Sequence, residues 1–385
     1  MKTLVIGNRE RYEKYMPADL PFVKETEIVF CKWGTSDEDI LAVAQDASFI
    51  AVDVMASVSG NLIRNMPNLK VIHSEGVGYQ GVDVEEATKQ GVYVCNCKGV
   101  NTGAVAEQAV LLMLALLRNV VVGDRVEREG GQIQMKERMM LEGIREVSDC
   151  KIGLIGFGDI AKATAERLYP FGCEMYYYSL HKKDEEIEKQ YHISYLSLEE
   201  LASTCDIISI HAPANDNTKG MINEHFISLM KPDAFLVNTA RGDLVDNEAL
   251  RNALISGRIA GAGLDTITPE PTTKDNPLVA LPAECADRVI YSPHIGGITT
   301  STFRRAHHML WQAFSDYSEG KKPANVVNRI YAYIACFTSF TASVMAYGSR
   351  TLFNCFLLIS FWARTSSLTV FPVLREAFAI SADFL

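Results

Sequence analysis

Short apolar runs alternate with longer helical patterns along most of this chain, and that rhythm limits the fold more than any other feature. Residues 4–6, 27–30, 49–52 and 69–73 read as strands, with helices expected at 37–45, 60–65 and 83–89. A second series of strands is expected at 151–155, 175–178, 207–210, 235–237, 261–264 and 289–291. Strand–helix alternation predicts parallel sheets covered by helices on both faces. The expected fold class is α/β, with two Rossmann-like doubly wound domains and an active-site cleft between them. A length of 385 residues exceeds one ordinary domain and fits two.

Residues 104–118 carry Ala, Leu and Met on nearly all faces, so this helix should be buried in a core or an interface. A polar stretch, 127–149, separates it from the second series, and a helix over 300–317 carries the chain out again. Residues 329–385 differ: they hold no Lys, four Arg and two acids. Residues 330–349 lack charge over a length able to span a bilayer. Their many Ser, Thr, Ala and Gly residues weaken that reading, and a shifted reading frame accounts for the tail equally well.

A net charge of −10 argues against nucleic-acid or anionic-membrane partners, which would repel the average surface. Nine scattered cysteines without a CxxC pair indicate structural thiols in a reducing compartment, hence a cytoplasmic location. Cys95 and Cys97 are the closest pair. The apolar run at the N-terminus is too short for a signal-peptide core and reads as a first strand. No paired His or Cys spacing calls for a metal.

The sharpest local signal is Gly156-Phe157-Gly158-Asp159-Ile160-Ala161, between an apolar strand and a helix. This GxGxxA in a strand–turn–helix setting points to dinucleotide binding. Gly156 permits the tight turn, Gly158 lets a pyrophosphate approach the backbone, and Ala161 allows close helix–strand packing. The phosphates would rest on the helix N-terminus, where the Asp159 carboxylate costs affinity unless it points away. The next strand usually ends in an acid that holds the ribose. Here it ends in Ser179-Leu180-His181-Lys182-Lys183. A hydroxyl and cationic groups favour a 2′-phosphate, so NADP is expected over NAD.

Three polar segments follow strands of the second unit: Asn238-Thr239-Ala240-Arg241-Gly242, Asp265-Thr266-Ile267-Thr268-Pro269-Glu270-Pro271 and Ser292-Pro293-His294-Ile295-Gly296-Gly297. Ligands of open α/β sheets bind outside the carboxyl ends of the strands, so all three should face the nicotinamide.

Together with Glu75-Gly-Val-Gly-Tyr-Gln-Gly-Val-Asp83, Ala104-Val-Ala-Glu-Gln108 and His211-Ala212-Pro213 with Thr218, this set resembles the D-isomer-specific 2-hydroxyacid dehydrogenase family. The resemblance runs from about residue 50 to 328, and more loosely from residue 1. It implies a substrate domain of residues 1–100 and 298–328 and a dinucleotide-binding domain of residues 101–297. It also implies a homodimer with the long helix after the crossover in the interface.

The residue types fit that chemistry. Arg241 offers a permanently charged fork for a carboxylate and can polarise the neighbouring carbonyl of a 2-oxo acid. His294 is a natural proton donor to the alkoxide left by hydride delivery, and the base in the reverse direction. Glu270 is expected to pair with the imidazole and favour its charged form. The resemblance implies the same three roles. Gly76, Val77 and Gly78 should form the substrate wall, where backbone amides can meet a carboxylate. Thr102, Thr218, Thr239, Ala240 and Gly296 are expected cofactor contacts, with Asp265 placed to hold the carboxamide. Thr102 also fits a helix cap. Loops near residues 100 and 297 are candidate hinges for closure. Met55, Tyr79 and Trp311 are expected near the pocket that sets substrate size.

Two other readings compete. A protein that binds NAD(P) to sense redox state need not keep Arg241, Glu270 and His294 together. A relative of formate dehydrogenase needs no general acid, which Glu270 beside a histidine argues against.

Overall fold

The computed structural model describes residues 1–328. The readings made for 329–385 lie outside the described residues. Among the described residues, twelve strands form two all-parallel sheets. The first contains β1 (Lys2–Ile6), β2 (Glu27–Cys31), β3 (Phe49–Val52), β4 (Val71–Ser74) and β5 (Tyr93–Cys95), in the order β2-β1-β3-β4-β5. The second contains β6 (Lys151–Ile155), β7 (Glu174–Tyr178), β8 (Ser194–Tyr195), β9 (Ile207–Ile210), β10 (Phe235–Asn238), β11 (Gly261–Leu264) and β12 (Val289–Tyr291). Its order is β12-β11-β10-β9-β6-β7-β8. Both are doubly wound, with the order reversing between β1 and β3 in the first sheet and between β6 and β9 in the second. Crevices at the carboxyl ends of such strand pairs are where open α/β sheets bind ligands.

The strands are parallel because helices cover both faces, so they read as apolar runs rather than alternating ones. β3, β4, β9 and β11 are buried at every position. One face of the second sheet packs against helix Thr102–Leu117, whose ten buried residues include Leu112, Met113 and Leu116. A Cβ on Gly263 of β11 would lie 3.0 Å from the Leu112 Cβ, so the glycine lets this helix settle onto the sheet. Helix Thr300–Ser318 instead covers the first sheet, with Trp311 and Phe314 wholly buried against Phe49 and Phe22. Asn328 closes the described chain there: its side chain accepts from Val94 N at 2.9 Å and donates to Val92 O at 2.9 Å.

Most expected elements form within a residue or two of their predicted bounds. The polar stretch 127–149 is different, since it contains helix Gln132–Glu142 and the end of helix Val120–Arg128. Only Met135 is buried across these two helices. Trp311 is another correction: it fills the core instead of a pocket, while Met55 and Tyr79 are exposed at 67% and 36%. Among the described residues, no single helix is long and apolar enough to cross a membrane. The described cysteines are free, and Cys95 and Cys97 are buried, with their thiols pushed up to about 12 by burial.

Candidate active site

The turn after β6 is built for a close backbone approach. Gly156 has φ +89, and a Cβ there would lie 2.8 Å from the backbone nitrogen of Ala212, at the start of the loop after β9. Any side chain would therefore push apart the two strand ends at the sheet's reversal point. Gly158 caps helix Asp159–Leu168, and a Cβ there would meet nothing within 4 Å. That open space in front of a helix N-terminus fits a pyrophosphate. Asp159 and Ile160 open the helix, and the exposed Asp159 carboxylate takes part in no ion pair among the described residues. The Phe157 ring turns inward, 4.6 Å from the Tyr177 ring, so only its backbone is left for a ligand. Ala161 is fully buried against the sheet.

At the end of β7, Ser179 Oγ donates to His181 O at 2.6 Å, folding the segment back on itself. His181 and Lys182 are exposed. Lys182 Nζ lies 3.9 Å from Glu188, a long and weak pairing. The Tyr177 hydroxyl fixes the segment from below: it accepts from Lys183 N at 2.7 Å and donates to Glu188 at 2.9 Å. Burial pushes this phenol up to about 12, so it stays a donor.

His211 is held neutral: burial pushes it down to about 4, and its Nε2 meets Ser209 Oγ at 2.9 Å. Ala212 is buried and Pro213 exposed. Thr218 is tied up, since its hydroxyl donates to Pro213 O at 2.7 Å and accepts from Asn215 N at 2.9 Å. It shapes this loop rather than presenting a free group. Thr102 is the first helical residue of Thr102–Leu117, and Asn101 occupies the cap position, so the alternative of Thr102 as a helix cap does not hold.

The loops after β10, β11 and β12 meet. Asn238 holds the first in shape: its Nδ2 donates to Arg241 O and its Oδ1 accepts from Ala240 N. Arg241 itself is exposed, donates to Ala240 O at 2.7 Å, and has no acidic partner among the described residues. Thr239 Oγ1 is buried without a partner, an orphan that a bound cofactor amide or hydroxyl can satisfy. A Cβ on Gly242 would lie 2.2 Å from Thr268 N, so the Arg241 loop rests directly on the segment leading to Glu270. Thr268 is pinned in turn by Asn247 and Asn276, which donate to its carbonyl at 2.6 and 2.9 Å.

Glu270 and His294 come together as expected: Nδ1 of His294 lies 2.8 Å and 3.1 Å from the two carboxylate oxygens. Both side chains are 45% exposed. Glu270 therefore engages one ring nitrogen and leaves Nε2 for a ligand. His294 has φ +53, a left-handed conformation uncommon for a side-chain-bearing residue. Asp265 sustains it. Its Oδ1 accepts from Ser292 Oγ and from Ile295 N at 3.0 Å, its Oδ2 from Gly296 N at 2.9 Å, and its carbonyl from His294 N at 2.9 Å. Asp265, expected as a carboxamide contact, thus shapes the histidine loop, with one Oδ2 lone pair left over. Gly296, expected at the cofactor, has its amide committed to that carboxylate.

Gly76, Val77 and Gly78 follow β4 and are half-buried. Their carbonyls are all engaged: Gly76 O by Cys97 N, Val77 O by Asn96 Nδ2 and Gly78 O by Ser74 Oγ. The amides of Val77 and Gly78 donate to nothing among the described residues. Gln108, Ser292 and Gly242 stand in the sequence only as members of motifs, and their supporting contacts come from the structure. Gln108 Nε2 donates to Ser292 Oγ at 2.9 Å and so supports the Asp265 cluster. A lone amide on an otherwise apolar helix was the available signal. Among the described residues no group of His, Cys, Asp or Glu is placed to hold a metal.

A doubly wound sheet with a glycine turn at its reversal point, and with a His–Glu pair and an exposed arginine on loops that follow its strands, is the arrangement of a Rossmann-type nicotinamide oxidoreductase. Residues 110–296 match the D-isomer specific 2-hydroxyacid dehydrogenase, NAD binding domain, family. Glyoxylate reductase of Aeropyrum pernix is 37% identical over 295 residues, 76% of this chain and 86% of that protein. Glyoxylate reductase of Korarchaeum cryptofilum is 35% identical over 294 residues, again 76% and 86%. The structure of Aquifex aeolicus D-lactate dehydrogenase, complexed with NAD and lactic acid, aligns with a TM-score of 0.69 at 28% identity, covering 83% of this chain and 96% of that one. The chain belongs to the D-isomer specific 2-hydroxyacid dehydrogenase family and is an NAD(P)-dependent enzyme of that class.

Proposed function

We propose that the protein reduces a small 2-oxo acid to the 2-hydroxy acid, with glyoxylate first among the candidates and NADPH favoured over NADH. The observation that carries this reading is the His294–Glu270 pair, 2.8 Å apart, with the segment leading to Glu270 packed against the loop of Arg241, which has no acidic partner among the described residues. When bound, the nicotinamide supplies a hydride to the carbonyl carbon. Arg241 binds the carboxylate and draws charge onto the carbonyl oxygen. His294 gives its Nε2 proton to that oxygen as it becomes an alkoxide, and takes it back in the oxidative direction. Glu270 holds the ring by Nδ1, fixing its tautomer and orientation.

Val77 and Gly78 amides form the opposing wall of the substrate site. The expected division, residues 1–100 and 298–328 for substrate and 101–297 for cofactor, places that site between the two sheets. The relatives called glyoxylate reductase support a short substrate. The absence of an acid at the end of β7, with exposed His181 and Lys182, supports a 2′-phosphate. Exposed apolar residues Val120, Val121, Ile133, Met140 and Leu141, the last at 88%, support burial of the 120–144 region against a second copy.

Oxidation of NADPH and NADH should be followed with glyoxylate, hydroxypyruvate, pyruvate and longer 2-oxo acids. Turnover with glyoxylate exceeding that with branched 2-oxo acids is the expected result. Tight cofactor binding without turnover on any 2-oxo acid would refute the proposal and favour a redox-sensing role.

A further inference from the structure

The first sheet carries a buried charge cluster at its own reversal point, outside the machinery described above. Helix Arg9–Tyr15 follows β1, and Asn8 caps it by accepting from Arg11 N at 3.0 Å. From there Arg11 reaches the residues that follow the next two strands of the sheet. Its Nε donates to Glu75 Oε1 at 2.9 Å, and its Nη2 bonds both to Glu75 Oε2 and to Asp53 Oδ2. The Asp53 and Glu75 side chains are only 8% and 3% exposed. His307, wholly buried, meets the same Glu75 oxygen at 2.8 Å. One guanidinium thus ties together the carboxyl ends of β1, β3 and β4.

We propose that Arg11 is a positioning residue for substrate, setting the Val77 and Gly78 amides through Glu75. This rests on the proposed function, because those amides matter only if they meet a carboxylate. Glu75 immediately precedes Gly76, and its own amide donates to Val52 O at 2.8 Å, so the segment is fixed at its root. With the carbonyls of residues 76–78 all engaged, the Val77 and Gly78 amides are the backbone donors this segment leaves for an anion among the described residues. Asp53 fixes a second segment of the same edge: its Oδ1 accepts from Met55 N at 2.9 Å, beside exposed Val54 and Met55. Polar and apolar parts of the wall therefore share one anchor. A lysine keeps the charge but cannot serve two carboxylates in a fixed plane.

The test is steady-state kinetics of the full chain with glyoxylate, comparing wild type, Arg11→Lys and Asp53→Asn. Asp53→Asn retains the oxygen for Met55 N and leaves Arg11 paired with Glu75, which keeps the test available if Arg11→Lys fails to fold. Arg11→Lys should raise KM for glyoxylate by about tenfold or more, with kcat within about twofold and cofactor Kd unchanged. Asp53→Asn should shift KM in the same direction by a smaller factor. An unchanged KM, or a loss confined to kcat or to thermal stability, would overturn the assignment. Lack of wild-type turnover on every 2-oxo acid would remove the proposed function first, and this assignment with it.

Discussion

Gly242 and Thr268 lie so close that a Cβ on the glycine would sit 2.2 Å from the threonine's backbone nitrogen. The loop that carries Arg241 and the loop that leads to Glu270 are therefore in direct backbone contact. No side-chain rearrangement can relieve a clash with main chain. Gly242→Ala should cost about 1–3 kcal/mol of stability, as overpacking does, and lower turnover by about tenfold or more by separating the two loops. Thermal unfolding together with kcat/KM checks this; wild-type values in both would mean that the contact is dispensable.

Cofactor choice should respond at the end of β7. Hydrogen bonds to charged groups contribute about 1.5–3 kcal/mol, so Lys182→Ala should lower kcat/KM for NADPH by about tenfold or more. The value for NADH should change little. Ser179→Asp should move the preference further toward NADH, because a carboxylate there suits a ribose hydroxyl and repels a 2′-phosphate. Equal effects on both cofactors would show that this segment does not read the 2′ position.

Stability should fall in mild acid through His73. This ring is 1% exposed, and burial pushes it from 6.5 down to about 4, partly offset by the Ser74 carbonyl 2.8 Å from Nδ1. Between those values the unfolded chain binds a proton that the folded chain refuses. Its contribution is therefore complete above about pH 6.5 and is lost as pH falls toward about 4, at up to ~1.4 kcal/mol per pH unit. His73→Gln should flatten the slope of unfolding free energy over that window, measured by denaturant titration at several pH values. An unchanged slope would assign the acid sensitivity to other groups.

The sheets and the glycine turn were readable in the sequence because their causes are local. Apolar runs mark buried parallel strands, and Gly156, at φ +89 against the Ala212 backbone, marks a turn that no other residue serves well. The meeting of Glu270 and His294 was readable for a similar reason, since each follows the carboxyl end of a strand in the same sheet. The supporting contacts were not. Asp265 and Gly296 stand 31 residues apart yet share a hydrogen bond, and Gln108 reaches Ser292 across 184 positions. Nothing in local spacing encodes such pairings. The helices Val120–Arg128 and Gln132–Glu142 were not legible because charged and polar residues dominate the stretch from 127 to 149, and almost none of their side chains is buried. Arg11 was invisible in the same way: its partners Asp53 and Glu75 become neighbours only once β1, β3 and β4 are aligned.

The most direct test of the account is His294→Ala, assayed with glyoxylate and NADPH beside a measurement of cofactor affinity. Removing the proton donor should lower kcat by about 10²–10⁴-fold, while cofactor Kd stays at the wild-type value. Turnover within a few-fold of wild type would contradict the assignment of His294 as the acid–base group, and with it the mechanism proposed for this site.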